Sequence, residues 1–113
     1  MPREVLHVLT DILTAIERIE EFAAGHDELS IVEDAKSYLA IQRCLEIISE
    51  ATRAIPPELQ LARPEIPWAR IRAFGNVMRH EYDGIAPVLI WRVVIDELPR
   101  LKRAVAHLRE QKQ

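Results

Sequence analysis

Apolar residues recur at alternating steps of four and three along almost the whole chain, and this period constrains the fold more than any other feature. Such spacing lines up apolar side chains on one face of an α-helix. Four seams of this kind can be traced: they end near Gly25, at Pro56-Pro57, before Asp83-Gly84 and near Leu108. No alternating β-branched run lies between Asn-Gly or Asp-Gly turns, the signature of a hairpin. We therefore predict an all-α protein.

The helix boundaries follow from local signals. Ser30-Ile-Val-Glu33 matches a capping box and predicts the start of the second helix. Pro67 suits the first turn of the third helix, and Pro99 lies inside the fourth, which it should kink. Four antiparallel helices with short links favour a four-helix bundle. A chain of 113 residues is long enough for one core, so residues 1–113 are expected to form a single domain.

Composition excludes several classes of protein. There are only 3 glycines and no Gly-rich phosphate loop, and the single cysteine, Cys44, can form neither an intrachain disulfide nor a cysteine-based zinc site. A di-iron bundle needs two Glu-x-x-His pairs, and only Glu4-Val-Leu-His7 occurs, so we expect no metal and no cofactor. No apolar run approaches a membrane span and the charged start is no signal peptide, which predicts a soluble, cytoplasmic protein with no membrane partner.

The net charge of −3 conceals an uneven distribution. Residues 1–66 carry 13 acidic and 6 basic residues, a balance of −7, whereas residues 67–113 carry 5 acidic and 9 basic residues, a balance of +4. Arginine supplies 12 of the 15 cationic residues. Its guanidinium can bind two phosphate oxygens at once. Two interpretations remain open. Either the basic half contacts a phosphate-bearing partner, or the uneven charge is an ordinary property of helix surfaces without a binding role.

The third helix carries the most informative pattern. If Ile71 marks the centre of its core face, His80 lies about 180° away on the outer face. The neighbours of His80 on that face are small or weakly polar, and arginines line its two shoulders; these residues are Ala69, Ala73, Asn76 and Val77, with Arg72 and Arg79 on one side and Arg70 on the other. A face without long side chains predicts the close approach of another helix. The same helix of a second copy, related by a two-fold axis, would give a homodimer.

Two His80 rings and several arginines in one cleft suit RNA cleavage without a metal. The ribose 2′-hydroxyl attacks its own phosphate, a base removes the hydroxyl proton, an acid protonates the leaving oxygen, and cations stabilise the added charge. A dimer supplies one imidazole for each proton transfer. The alternative is structural: His80 caps the end of its helix and the arginines face solvent.

Several segments together identify a resemblance. They are Ile66-Pro-Trp-Ala-Arg-Ile71, Asn76-Val-Met-Arg-His80-Glu-Tyr82-Asp-Gly-Ile85, Ile90-Trp91, Asp96-Glu-Leu-Pro-Arg-Leu101 and Leu45-Glu-Ile-Ile-Ser-Glu-Ala51. In this combination the chain resembles the HepT-like branch of the HEPN ribonuclease toxins over residues of about 6–105.

The resemblance implies a homodimeric HEPN four-helix domain that acts as the metal-independent ribonuclease toxin of a type VII-like toxin–antitoxin pair. RNA, not DNA, is then the substrate, and His80 is the catalytic acid or base, supported by Asn76 and Tyr82. The implied partner is a minimal nucleotidyltransferase antitoxin, which in the family can transfer AMP to the motif tyrosine, here Tyr82.

The chain departs from the family pattern at two positions. Gly75 stands where the motif arginine is usual, and Ser49 replaces a glycine in the second helix. Either Arg72 or Arg79, from either subunit, takes over the catalytic role of the missing arginine, or catalysis has weakened or been lost. The alternative function is then a non-catalytic helical partner of a nucleotidyltransferase, and a third is a plain helical dimerisation module.

Overall fold

The computed structural model describes residues 3–80 and 86–112, and within these ranges all regular elements are helical. The prediction of an all-α protein is therefore confirmed. The elements are α1 (Arg3–Ala23), α2 (Glu28–Glu33), α3 (Ala35–Thr52), α4 (Pro57–Leu61), α5 (Trp68–His80), α6 (Pro87–Arg92), a π-helical stretch (Val93–Glu97) and α7 (Leu98–Lys112).

The apolar seams meet in one core. Helix α1 packs against α3 and α7, and α3 also packs against α5. Among the side chains with almost no exposed surface are Leu9, Ile12, Ile16, Ile19, Ile41, Ile48, Val105 and Leu108. Burying each of these contributes about 1.5–3 kcal/mol before the entropy of ordering the chain is subtracted. The helical period of the sequence thus fixes which face of each long helix turns inward.

The second helical segment begins earlier than predicted and has a different capping box. Its first helix starts at Glu28, and the capping box is formed by Asp27 and Ser30: an Asp27 carboxylate oxygen accepts from the Ser30 N–H at 2.8 Å, and the Ser30 hydroxyl accepts from the Asp27 N–H at 3.0 Å. The capping box predicted at Ser30 and Glu33 was wrong, because the carboxylate three residues upstream of Ser30 already caps the helix.

Asp34 divides this segment into α2 and α3. Its backbone leaves the helical region (φ −90°, ψ 81°), and its carboxylate accepts from the Ser37 N–H at 3.2 Å, which caps α3. Hydrogen bonds from Ser37 hold the pKa of Asp34 below its ordinary value. His26 lies beside it, with Nε2 3.2 Å from an Asp34 oxygen and Nδ1 2.9 Å from the Ser30 hydroxyl. A polar network therefore stabilises the corner between α1 and α3.

A short helix, α4, follows the proline pair where the sequence predicted only a link. Pro57 occupies its first turn, where a missing N–H costs nothing. Gln60 joins this helix to its neighbours. Its side-chain amide nitrogen donates to the backbone carbonyls of Thr52 (3.2 Å) and Ile55 (3.0 Å). The backbone carbonyl of Gln60 accepts from the indole N–H of Trp68 at 3.0 Å. Helix α4 thus connects the end of α3 to the start of α5.

The chain before Pro99 forms a π-helical stretch over Val93–Glu97. Proline has no N–H to donate into the preceding turn, and a π-type turn is one way in which a helix accommodates the lost bond. The change of axis direction that we expect at Pro99 stays a prediction. No helix within the two described ranges is long and apolar enough to cross a membrane.

Candidate active site

Helix α5 presents two different faces. Trp68, Gly75 and Met78 are buried against the rest of the chain, and Ile71 and Phe74 are partly buried. The opposite face is exposed and consists of the small or weakly polar residues named above, Ala69, Ala73, Asn76 and Val77. The predicted inward and outward faces of α5 are therefore confirmed for its described side chains. Its outer face is a strip that a second helix can approach closely.

The end of α5 that carries the predicted catalytic residues lies at the margin of the described structure. His80 is the last residue of the helix, and the described side chains in this region end at Met78. The predicted roles of His80 and Arg79 thus concern side chains outside the described set, and Tyr82 lies outside the described residues altogether. Among the predicted site residues, Arg72, Asn76 and Gly75 can be placed by their contacts or exposure.

Both the backbone carbonyl and the guanidinium of Arg72 form hydrogen bonds with neighbouring elements. Its backbone carbonyl accepts from the Ser49 hydroxyl at 2.9 Å and from Arg53 Nη2 at 3.5 Å. Its Nη1 donates to the side-chain oxygen of Gln60 at 3.0 Å. The sequence places Arg72 on a shoulder of the His80 face. The structure adds that its half-buried side chain is held towards α4, at the start of α5.

Gly75 is buried directly against Ser49, where α3 and α5 approach each other. The Gly75 N–H donates to the Ser49 hydroxyl at 3.1 Å. A Cβ added at Gly75 would lie 2.1 Å from Ser49 Oγ and 2.4 Å from Ser49 Cβ, far inside van der Waals contact. Ser49 itself is almost fully buried, with 2% of its surface exposed. A side chain at position 75 therefore requires Ser49, and with it part of α3, to move away from α5.

Sequence reasoning missed the roles of Ser49 and Gln60. Ser49 was visible as a departure from the family pattern, but its contact with Gly75 joins residues that are 26 apart in sequence. Gln60 falls in a segment that the sequence predicts to be a link, and nothing in its neighbourhood indicates an ordered amide. Both residues became recognisable only from the tertiary contacts of α5.

Two other arginines near Arg72 form ion pairs with carboxylates. Arg70, on the other shoulder of α5, forms an ion pair with Glu97 of the π-helical stretch. Arg53 lies 3.5 Å from Glu50 on its own helix. Both pairs are largely exposed, so they stabilise the fold little and can rearrange when a polyanion binds. Of the two α5 arginines whose side chains are described, Arg70 and Arg72, it is Arg72 whose guanidinium contacts a neutral side chain.

Two grooves lie along α3, one on its α5 side and one on its α1 side. One, of about 490 Å³, lies between α3, α5, α6 and α7 and is mainly apolar, with Ile48, Phe74 and Leu101 in its lining. The other, of about 470 Å³, lies between α1 and α3 and contains Cys44, whose burial raises the pKa of its thiol. A buried thiol with a raised pKa is a poor nucleophile. Among the described side chains, no three His, Cys, Asp or Glu residues form a group that could hold a metal.

Comparison with known proteins identifies the family that the chain matches. Residues 12–108 match the family described as Ribonuclease HepT-like. The chain is 36% identical to a protein of Thermococcus cleftensis named "Probable ribonuclease HepT", over 97% of this chain and 100% of that protein. It is 32% identical to a protein of Methanocaldococcus jannaschii whose name also describes an RNase, over 91% of this chain and 94% of that protein. No solved structure gives a significant match.

Proposed function

Because the chain belongs to the Ribonuclease HepT-like family, we propose that it is a metal-independent endoribonuclease, the toxin of a type VII-like toxin–antitoxin pair. The observation that carries this proposal is the match over residues 12–108, which includes α5 from its first residue to His80. The whole chain then acts as a single HEPN domain, a four-helix bundle that pairs with a second copy.

The proposed reaction is an internal transfer at phosphorus. One His80 removes the proton from a ribose 2′-hydroxyl, whose oxygen attacks the adjacent phosphorus while the bond to the 5′-oxygen breaks. The other His80 of the dimer donates a proton to that leaving oxygen. Arg72 and Arg79 stabilise the additional negative charge on the phosphate oxygens, with Asn76 and Tyr82 in support. The products are a 2′,3′-cyclic phosphate and a 5′-hydroxyl end.

The chemistry of the products tests this proposal. Purified protein incubated with RNA and excess EDTA should still cut the strand and leave 2′,3′-cyclic phosphate ends, which mass spectrometry identifies. An oligonucleotide of the same sequence built wholly from 2′-deoxy nucleotides is the matched control and should remain intact. Cleavage that requires an added metal ion, or that also cuts the deoxy strand, would contradict a mechanism based on the 2′-hydroxyl.

The homodimer is proposed from the exposed small-residue face of α5. Replacing Ala73 with Arg places a long, charged side chain in the middle of this face, so the variant should sediment mainly as a monomer and lose RNase activity. Ala24→Arg is the matched control, because Ala24 is exposed in the turn that follows α1 and not on α5, and it should leave the dimer intact. Analytical ultracentrifugation distinguishes the two results, and a dimeric Ala73→Arg protein would remove this face from the interface.

The partner is proposed to be a minimal nucleotidyltransferase that transfers AMP to Tyr82. Each adenylate adds about one negative charge, which would pair with the neighbouring arginines in place of RNA phosphate, and the nucleoside would fill the cleft. The RNase activity of Tyr82→Phe should therefore be the same in cells with and without the antitoxin, whereas that of the wild type is silenced by the antitoxin. Mass spectrometry of wild type from these cells should show one added AMP. A wild type that is silenced without added AMP would rule the modification out.

One observation favours the non-catalytic alternative, a helical partner of the nucleotidyltransferase. Position 75, where the motif arginine is usual, carries a buried glycine. The two functions differ in cells: a ribonuclease toxin arrests growth when it is expressed alone, and His80→Ala relieves the arrest. A non-catalytic partner does not arrest growth, so His80→Ala makes no difference, although the protein still binds the nucleotidyltransferase.

A further inference from the structure

Helix α7 concentrates the positive charge of the basic half of the chain. It contains 5 basic residues and 1 acidic residue, a balance of +4. Helix α1, which packs against it, contains 2 basic and 5 acidic residues, a balance of −3. The contacts of individual side chains show which of the α7 charges α1 neutralises.

One flank of α7 faces α1 and is neutralised there. Lys102 Nζ lies 2.9 Å and 3.2 Å from the two carboxylate oxygens of Glu20 on α1. This hydrogen bonding raises the pKa of Lys102. Lys102 is therefore occupied by a carboxylate of the protein itself.

The exposed side of α7 carries Arg100, Arg103 and His107, which we call the α7 stripe. At 100° per residue the three side chains lie within about 60° of one another, and they span about 10 Å along the helix axis. Neither arginine forms an ion pair with any described residue. The acidic residues closest in sequence, Asp96 and Glu110, lie beyond the two ends of the stripe.

His107 adds a hydrogen-bond donor to the stripe. Its Nδ1 lies 2.8 Å from Arg63 Nη1, and because a guanidinium can only donate, Nδ1 must accept and the ring proton must lie on Nε2. Arg63 also binds Glu65, with Nη2 2.6 Å from a carboxylate oxygen, so it adds little net charge itself. The indole of Trp68 donates to the Arg63 carbonyl at 3.1 Å, which places this end of the stripe beside the start of α5.

These groups suit the backbone of a nucleic acid better than the surface of a protein. Protein interfaces bury apolar side chains at their centre, and none of the exposed large apolar side chains in the described ranges lies on α7. Trp68 is buried and offers no ring face on which a base could stack. The stripe therefore presents donors for phosphate oxygens and no means of reading bases.

We propose that the α7 stripe binds consecutive phosphates of the substrate RNA and holds the strand along α7 towards the start of α5. Arg100 and Arg103 supply the charge, and the His107 Nε2–H supplies a neutral donor. This inference rests on the ribonuclease function proposed above, and it assigns a substrate-binding surface outside α5.

Binding of an RNA that cannot be cut tests the stripe. A fluorescent strand of 2′-O-methyl nucleotides lacks the reacting hydroxyl, and its anisotropy reports Kd without cleavage. Arg100→Gln/Arg103→Gln should raise Kd about tenfold at about 0.1 M salt. The slope of log Kd against log salt concentration should fall by about 1.4, since each phosphate contact on a single strand contributes about 0.7.

Arg18→Gln/Lys36→Gln is the matched control. Both residues are exposed, on α1 and α3, and their replacement changes the net charge of the protein by the same amount. The control should bind the strand with the wild-type Kd and salt slope. Thermal unfolding of the stripe variant should match that of wild type, because its two arginines are exposed and form no ion pair with the described residues.

Steady-state cleavage of ordinary RNA gives a second test. The stripe variant should have a KM about tenfold higher than wild type and a kcat within about twofold of it, because the phosphates bound at the stripe are not the one that reacts. An equal fall in kcat with an unchanged KM would overturn a role in substrate binding.

The outcomes separate the stripe from the function on which it rests. Equal salt slopes for wild type and the stripe variant, or an equal loss in the control, would overturn the stripe even if the wild type cleaves RNA. A stripe variant that binds RNA normally but loses the nucleotidyltransferase would assign the surface to an acidic protein and overturn the proposal. A wild type that binds the 2′-O-methyl strand through the stripe but cuts no RNA would support the stripe and overturn the ribonuclease function.

Discussion

Replacing Gly75 with alanine is expected to lower the free energy of unfolding by about 1–3 kcal/mol. This loss is expected even though alanine normally stabilises a helix by about 1 kcal/mol relative to glycine. The reason is the 2.4 Å separation between the new Cβ and Ser49 Cβ, which only a displacement of α3 from α5 can relieve. That displacement also breaks both hydrogen bonds of the Ser49 hydroxyl. Gly75→Arg should be less stable still, because its longer side chain begins in the same closed contact and needs more space to reach solvent.

The second variant in this prediction removes the obstacle. Ser49→Gly/Gly75→Ala should be more stable than Gly75→Ala alone, while remaining below wild type because the two hydrogen bonds stay lost. Urea unfolding at one fixed protein concentration measures all four members of this cycle. If Gly75→Ala is as stable as wild type, or if Ser49→Gly makes it less stable still, the close contact between Ser49 and position 75 is not what restricts this position.

Periodicity was sufficient to predict the helices but not the irregular segments between and within them. The seams through Ile12, Ile48 and Leu108 predict buried faces, and these residues are buried. The break at Asp34, the short helix α4 and the π-helical stretch were missed, because each depends on hydrogen bonds that apolar spacing does not encode. The carboxylate of Asp34 offers its own helix cap, and the missing N–H of Pro99 changes the ladder before it.

The candidate site was predictable in its orientation and not in its contacts. A helical wheel is sufficient to place Ala73 and Asn76 outward, since it requires only the core face of α5. The position of the Arg72 guanidinium depends on Gln60, which is 12 residues away in sequence and belongs to an unpredicted helix. Long, flexible side chains are placed by such tertiary partners, and one sequence contains no signal for them.

His80 is the second residue at which a large effect is expected, because the proposed reaction depends on it most. If its imidazole transfers protons to and from the reacting oxygens, His80→Ala removes both the base and the acid of the proposed reaction. Losses of about 10²–10⁴ fold are typical of that contribution. The fold should be unaffected, because His80 is the last residue of α5 and its replacement by alanine introduces no bulk.

The measurement is the initial rate of RNA cleavage by wild type, His80→Ala and His7→Ala in the presence of EDTA. His7 is exposed on α1, so its variant controls for the loss of a histidine elsewhere on the protein. We predict that His7→Ala cleaves at the wild-type rate and that His80→Ala is at least about 100-fold slower, with an unchanged circular dichroism spectrum. Equal cleavage by wild type and His80→Ala would contradict the proposed ribonuclease mechanism.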